Sequence, residues 1–92
     1  MARPYLSIII PAYNEAERLP LTLFDIDKRL SEMGLSYEII VVNDGSKDNT
    51  AEVVEKLIPL IKNLRLINNK FNQGKGGVVA QGMLEAKGAI RL

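Results

Sequence analysis

The residues able to do chemistry gather in three short polar segments. The first is Pro11-Ala12-Tyr13-Asn14-Glu15. A rigid proline, an aromatic face and a carboxylate suit a stacked base and a hydrogen bond to a base or a ribose. The segment has no glycine, so a pyrophosphate cannot approach its backbone as it does in a G-x-G-x-x-G turn. The same residues also make a plain strand-to-helix turn with Asn14 as its cap. The second segment is Asn43-Asp44-Gly45-Ser46. The Asp44 carboxylate can accept from a pyrimidine N–H, a purine edge or ribose hydroxyls, although Asp-Gly is equally common as turn chemistry. The third is Asn72-Gln73-Gly74-Lys75-Gly76-Gly77. Its glycines let backbone amides approach an anion, a following helix adds its N-terminal partial charge, and Lys75 adds a full one. A sugar-nucleotide diphosphate suits that chemistry; glycines for close packing beside a solvated lysine are the plainer account. It is not a P-loop, because Asn69 stands where the first glycine is required and Gly76 where Ser or Thr must follow the lysine.

Other chemistries are closed off by composition. With no cysteine and no histidine, the 92-residue chain has no disulfide and no thiolate or imidazole metal site. Any general base must be a carboxylate, a lysine or a tyrosine. Twelve basic residues against 11 acidic give a net charge of +1, which marks the chain neither for nucleic acid nor for an anionic membrane. Asp25-Ile26-Asp27 is a literal D-x-D, but it falls inside a helical stripe. Residues two apart on a helix do not share a face, so both aspartates read as solvated helix surface.

The elements that position the three segments alternate along the chain. Leu6–Ile10 and Tyr37–Val42 are short apolar runs rich in β-branched residues, as in strands buried on both faces. Pro11 is expected to end the first. Leu19, Leu23, Ile26, Leu30 and Met33 step by four and three, which predicts one helix starting near Arg18, with Asn14 as cap and Gly34 just past its end. A second helix, capped by Asp48 or Thr50, carries Val54, Leu57, Ile58 and Ile61 on one face and stops or kinks at Pro59. Leu64–Ile67 is a third strand, Asn68 to Gly77 a loop, and Val78 to Lys87 a third helix stopped by Gly88. Ala89–Leu92 begins a fourth strand. The order β-α-β-α-β-α-β predicts one α/β domain over residues 1–92, three-layered and Rossmann-like, with a mostly parallel sheet. Ligands of such sheets bind at the carboxyl ends of the strands, where all three polar segments fall. No apolar run is long enough to span a bilayer, and the chain is read as cytosolic.

Ser7 to Glu15, Glu38 to Thr50 and Asn72 to Gly77, in that order at successive strand ends, resemble the family 2 glycosyltransferases. Gly74-Lys75-Gly76-Gly77 makes the chain most similar to the dolichyl- and other polyprenyl-phosphate sugar transferases. The resemblance implies the N-terminal half of a GT-A fold and an inverting transferase that moves a hexose from a UDP- or GDP-sugar to a polyprenyl phosphate at the cytosolic membrane face. Carried over by position, Pro11, Ala12, Tyr13 and Glu15 frame the nucleoside, Asp44 contacts the base, and Lys75 with Gly74 and Gly76 lies by the ribose and diphosphate. In that family a strand beginning like Ala89-Ile90-Arg91-Leu92 leads into a D-x-D motif that binds Mg²⁺ or Mn²⁺. No such metal ligand and no catalytic carboxylate can be assigned within these residues. The expectation is a fold cut before its metal site: inactive alone, and prone to self-association through an uncovered sheet edge. The competing reading is a nucleotide-binding module or nucleotidyltransferase-like α/β domain without glycosyl transfer. The first segment argues against a nucleotidyltransferase, since it lacks the glycines and arginine that would hold a triphosphate.

Overall fold

The computed structural model describes residues 4–91. Four strands, β1 (Leu6–Ala12), β2 (Tyr37–Asp44), β3 (Leu64–Asn69) and β4 (Ile90–Arg91), alternate with three helices, α1 (Leu19–Glu32), α2 (Thr50–Leu57) and α3 (Lys75–Glu85). Every pairing is parallel, in the order β3-β2-β1-β4. The two hydrophobic layers follow from the strand period of two. Ile39 and Val41 of β2 face Leu19 and Leu23 of α1 and Val54 and Leu57 of α2. Ile40 and Val42 face Val78 and Met83 of α3. All four β2 side chains are fully buried, each contributing about 1.5–3 kcal/mol of transfer free energy. The result is the expected three-layer α/β/α arrangement, with α1 and α2 on one face and α3 on the other.

Several boundaries differ from those the residues suggest, each for a local reason. β1 continues through Pro11 instead of ending there. Leu6 N–H donates toward β2 (to Ser36 O, 3.1 Å), whereas Tyr5 O accepts from Ile90 N on the β4 side. By alternation, the N–H that Pro11 lacks points to the β4 side, where β4 pairs only with Leu6 and Ser7. α1 has Arg18 as its cap, with no side-chain bond, and Pro20 in its first turn. Asn14 is not that cap: it adopts φ +54° and its side chain is engaged elsewhere. Met33 lies past the helix end and is 67 % exposed, so the buried stripe stops at Leu30. α2 ends at Leu57, two residues ahead of Pro59; Ile61 is fully buried but Ile58 is 39 % exposed. β3 extends to Asn69 because Asn68 and Asn69 pair with Asn43 and Asp44. α3 begins at Lys75, three residues earlier than expected, and ends at Glu85 with Ala86 extended.

The amino-terminal rim of the sheet is closed by a buried carboxylate. Glu38 accepts from the Ser7 hydroxyl (2.6 Å), Arg65 Nη2 (2.8 Å) and Lys87 N (2.6 Å). Burial pushes the Glu38 carboxyl up, but Ser7, the Lys87 amide and Arg65 together outweigh it and hold the group below its ordinary range. Gly88 N–H donates to Ser7 Oγ at 2.8 Å, and a Cβ on Gly88 would lie 2.6 Å from that oxygen. Nearby, the Tyr37 hydroxyl, whose pKa is raised by burial and by its bond to Asp27, ties β2 to α1. Asp27 is therefore a partner of Tyr37, not free helix surface as expected. Asp25 is exposed and pairs with Arg29 at 3.1 Å.

Candidate functional site

The opposite, carboxyl-terminal rim holds the three polar segments. The loops after β1 and β2 are stitched to each other through short side chains. Asn14 N–H donates to Ser46 Oγ (2.9 Å), and Asn14 Oδ1 accepts from Lys47 N (2.8 Å). Glu15 N–H donates to Thr50 Oγ1 (3.1 Å), whose own hydrogen goes to Asp48. The Thr50 hydroxyl, then the amides of Thr50 and Ala16, hold the Asp48 carboxyl below its ordinary range. These bonds consume Asn14, Ser46, Asp48 and Thr50 in construction. From the sequence, Asn14, Asp48 and Thr50 read as helix caps and Ser46 as part of a turn, although Asn, Ser, Asp and Thr beside strand ends are the types that bond neighbouring backbone.

Asp44 ends β2 and is 5 % exposed. Its Oδ1 accepts from Gln73 N (2.6 Å), its Oδ2 from Gly74 N (3.1 Å), and its backbone O from Asn72 Nδ2 (3.3 Å). Gly45, at φ +69°, lets the same loop close in: a Cβ there would meet Asn72 N at 2.7 Å. Two amides of the glycine-rich segment, expected to face an anion, are thus taken by Asp44. Those of Lys75, Gly76 and Gly77 open α3 and have no acceptor one turn back within the helix. Gly74 caps α3 at φ +81°, a conformation costly for residues with a Cβ. Asn69 and Gln81 exchange side-chain bonds of 2.8 and 3.0 Å and anchor α3 to β3.

Between these loops lies a cleft of about 480 Å³, lined by Pro11, Ala12, Tyr13, Glu15, Asp44, Asn72, Gly74, Lys75 and Val78. Seven of the eight expected site residues meet there. Gly76 sits in the first turn of α3 but does not line the cleft; Asn72, part of the third segment, had been given no role of its own, and Val78 was not anticipated. Tyr13, 42 % exposed, offers a free aromatic face, while Lys75 is exposed at the N-terminal end of α3. The volume is in the range of small-molecule sites. One wall has an aromatic ring and a carboxylate; the other has an ammonium group and helix-opening amides. That arrangement can seat a planar group at one end and an anion at the other. Among the described residues no three His, Cys, Asp or Glu side chains come together to hold a metal ion. These residues by themselves therefore do not fit a divalent cation.

An open parallel sheet with helices on both faces defines a doubly wound α/β protein, a class whose ligand sites fall at the strand carboxyl ends beside a reversal of strand order, the rim on which this cleft lies. Within that class, the chain belongs to glycosyl transferase family 2, which it matches over residues 7–91. Its fold is of the GT-A type, related to the dolichyl-phosphate sugar transferases. It is 48% identical over 91 residues to a dolichyl-phosphate beta-glucosyltransferase of Dictyostelium discoideum, covering 91% of this chain and 28% of that protein. The Saccharomyces cerevisiae dolichyl-phosphate beta-glucosyltransferase is 40% identical over 94 residues, covering 96% of this chain and again 28% of the relative. Among solved structures, the Pyrobaculum calidifontis mannosyltransferase PcManGT, in complex with GDP-Man and Mn²⁺, aligns with TM-score 0.66 at 26% identity, over 94% of this chain and 25% of that one. S. aureus TarS aligns with TM-score 0.73 at 27% identity, over 96% and 26%. The chain thus spans little more than a quarter of the length of these relatives.

Proposed function

We propose that the cleft is the donor site of a hexosyltransferase that takes a UDP- or GDP-sugar and passes the hexose, with inversion, to a polyprenyl phosphate at the cytosolic membrane face. The observation that carries this reading is the convergence of Tyr13, Glu15, Asp44 and Lys75 on one cleft from three separate loops. The names of the dolichyl-phosphate relatives support the acceptor class, and the GDP-Man complex of the mannosyltransferase supports the donor class. Tyr13, with Pro11 and Ala12 lining the same cleft, stacks the base, and Glu15 accepts from base or ribose. Lys75, with Gly74 and Gly76 keeping the backbone bare, meets the diphosphate. Its ammonium group stabilises the negative charge that gathers on the leaving nucleotide as the glycosidic bond breaks. A Mg²⁺ or Mn²⁺ ion belongs to this reading for the whole protein, through residues other than those described.

Calorimetric titration of the chain with UDP-glucose and GDP-mannose tests the proposal. Lys75→Gln should weaken binding by about 10-fold, as expected for one lost charge-assisted hydrogen bond. Tyr13→Ala should cost about 5–10-fold through lost stacking, by analogy with base–aromatic contacts elsewhere. Neither side chain makes a bond that holds the fold, so Tm should stay put. Binding of the sugar nucleotides that ignores both substitutions would overturn the reading. Equal affinity for UDP and UDP-glucose, without hexose transfer by the whole protein, would favour a nucleotide-binding module.

A further inference from the structure

We infer that Asn14 is a positioning residue for the nucleoside half of the donor: it clasps the loop after β1 to the loop after β2 and so sets where Tyr13 and Glu15 stand. The inference rests on the donor reading of the cleft. Asn14 itself does not line that cleft, although both of its chain neighbours do. Its backbone takes φ +54°, in the left-handed region that asparagine enters more readily than most other side chains. From there it bonds the second loop in both directions. The Asn14 N–H donates to Ser46 Oγ at 2.9 Å. Asn14 Oδ1 accepts from Lys47 N at 2.8 Å and, more loosely, from Asp48 N at 3.4 Å.

The clasp is anchored in the sheet. Ser46 Oγ passes its own hydrogen to Asn43 Oδ1, and Asn43 Nδ2 donates to Asn68 Oδ1 at 2.7 Å. Asn43 is buried in β2 and pairs with Asn68 of β3. A chain of bonds therefore runs from the strand ends to the Tyr13–Asn14 peptide. The next two amides are held by the same loop: Glu15 N–H donates to Thr50 Oγ1 at 3.1 Å, and Ala16 N–H to Asp48 Oδ2 at 3.4 Å. Three consecutive amides of one loop thus end on three side chains of the other. The Tyr13 ring, largely exposed, is held little by packing, so the backbone beside it decides where its face is presented. A loop that must be ordered when a ligand arrives weakens binding by the entropy lost; one ordered beforehand does not. Asn14 acts in that way on the nucleoside end, while Lys75 stands on a different element.

The test is a pair of double-mutant cycles, read as dissociation constants for UDP-glucose and GDP-mannose. Asn14→Gly leaves the left-handed backbone accessible and removes the side-chain half of the clasp. Asn14→Asp keeps an acceptor oxygen in its place. Asn14→Gly should weaken binding by about 5–10-fold, and Asn14→Asp should stay within about 2-fold of the unaltered chain. The decisive figure is the coupling. In the Asn14→Gly background, Tyr13→Ala should cost less than about 2-fold more, whereas Lys75→Gln should keep its full factor of about 10. A residue that only supports the fold would couple to both alike. Hydrogen exchange without ligand is the second readout: the Lys47 amide should exchange at least about 10-fold faster in Asn14→Gly, while β2 amides keep their protection. Unchanged affinity, full independence of the Asn14 and Tyr13 effects, or unchanged exchange at Lys47 would each overturn the inference. Loss of β2 protection would make Asn14 a residue of the fold and overturn it too. If the unaltered chain binds neither sugar nucleotide, the donor reading itself falls and takes the positioning role with it. That outcome is distinct from normal binding with independent effects, which sinks the positioning role alone.

Discussion

Two carboxylates in this chain are buried for opposite ends of the same sheet. Glu38 closes the amino-terminal rim through Ser7, Arg65 and the Lys87 amide. Asp44, six residues on in the same strand, shapes the carboxyl-terminal rim. Because the folded state holds the Glu38 carboxyl below its ordinary value of 4.5, its contribution is present above that value and is lost as pH falls through the lower folded value. Urea melts on a descending pH series should therefore show a loss of stability on the acid side that Glu38→Gln flattens. At neutral pH the same substitution should cost about 1–3 kcal/mol, since it weakens bonds to a buried acceptor and leaves Arg65 without its charge partner. An unchanged acid limb would remove Glu38 from this role. At this scale the residue types were legible but their jobs were divided. Tyr13, Glu15 and Lys75 line the cleft. Asn14 and Asp48 became loop stitching, and Asp44 bonds to its own chain. A polar side chain's partner is fixed by tertiary approach, which spacing along the sequence does not carry.

The elements were legible where one period dominates. Tyr37–Val42 reads as a buried strand because it is apolar almost without interruption, and Leu19 to Leu30 reads as a helix because its stripe repeats by three and four. The boundaries failed where local chemistry pulled against tertiary pairing. Pro11 stays in β1 because the N–H it lacks would have met no partner strand. Gly76 and Gly77 are poor helix formers by propensity and Lys75 puts a positive charge at the positive end of the helix dipole, yet Asp44 and the Asn69–Gln81 pair hold α3 in place. Gly82 shows the same priority of packing over propensity. It is a helix-interior glycine, and a Cβ there would lie 2.4 Å from Ile9 Cγ2. Gly82→Ala should therefore destabilise by about 1–3 kcal/mol despite alanine's better propensity, read from the midpoint of chemical denaturation. A gain in stability would mean that α3 can shift off the sheet at no cost.

For the whole molecule, β1 and β2 are covered on both faces, whereas the edges remain open among the described residues. β4 contributes only Ile90 and Arg91, both exposed, and the outer side of β3 pairs with no strand. Leu84 (89 % exposed) and Phe71 (80 %) add apolar surface. Such edges recruit further strands. The 92-residue chain should associate with itself as its concentration rises, and sedimentation velocity would show this as a rising mean mass. A single monomeric species throughout a wide concentration range would contradict it. No helix among the described residues is long and apolar enough to cross a membrane.

The most direct test of the donor cleft is a residue-by-residue map of where a sugar nucleotide touches. In amide spectra of the chain titrated with UDP-glucose or GDP-mannose, saturable shifts are expected at Tyr13, Asn14 and Glu15, at Asp44 and Gly45, and from Asn72 through Val78. Met33, Ile58 and Leu60, at the far rim, should stay fixed. Shifts centred on that far rim, or none at saturating ligand, would contradict a donor site at the carboxyl ends of the strands.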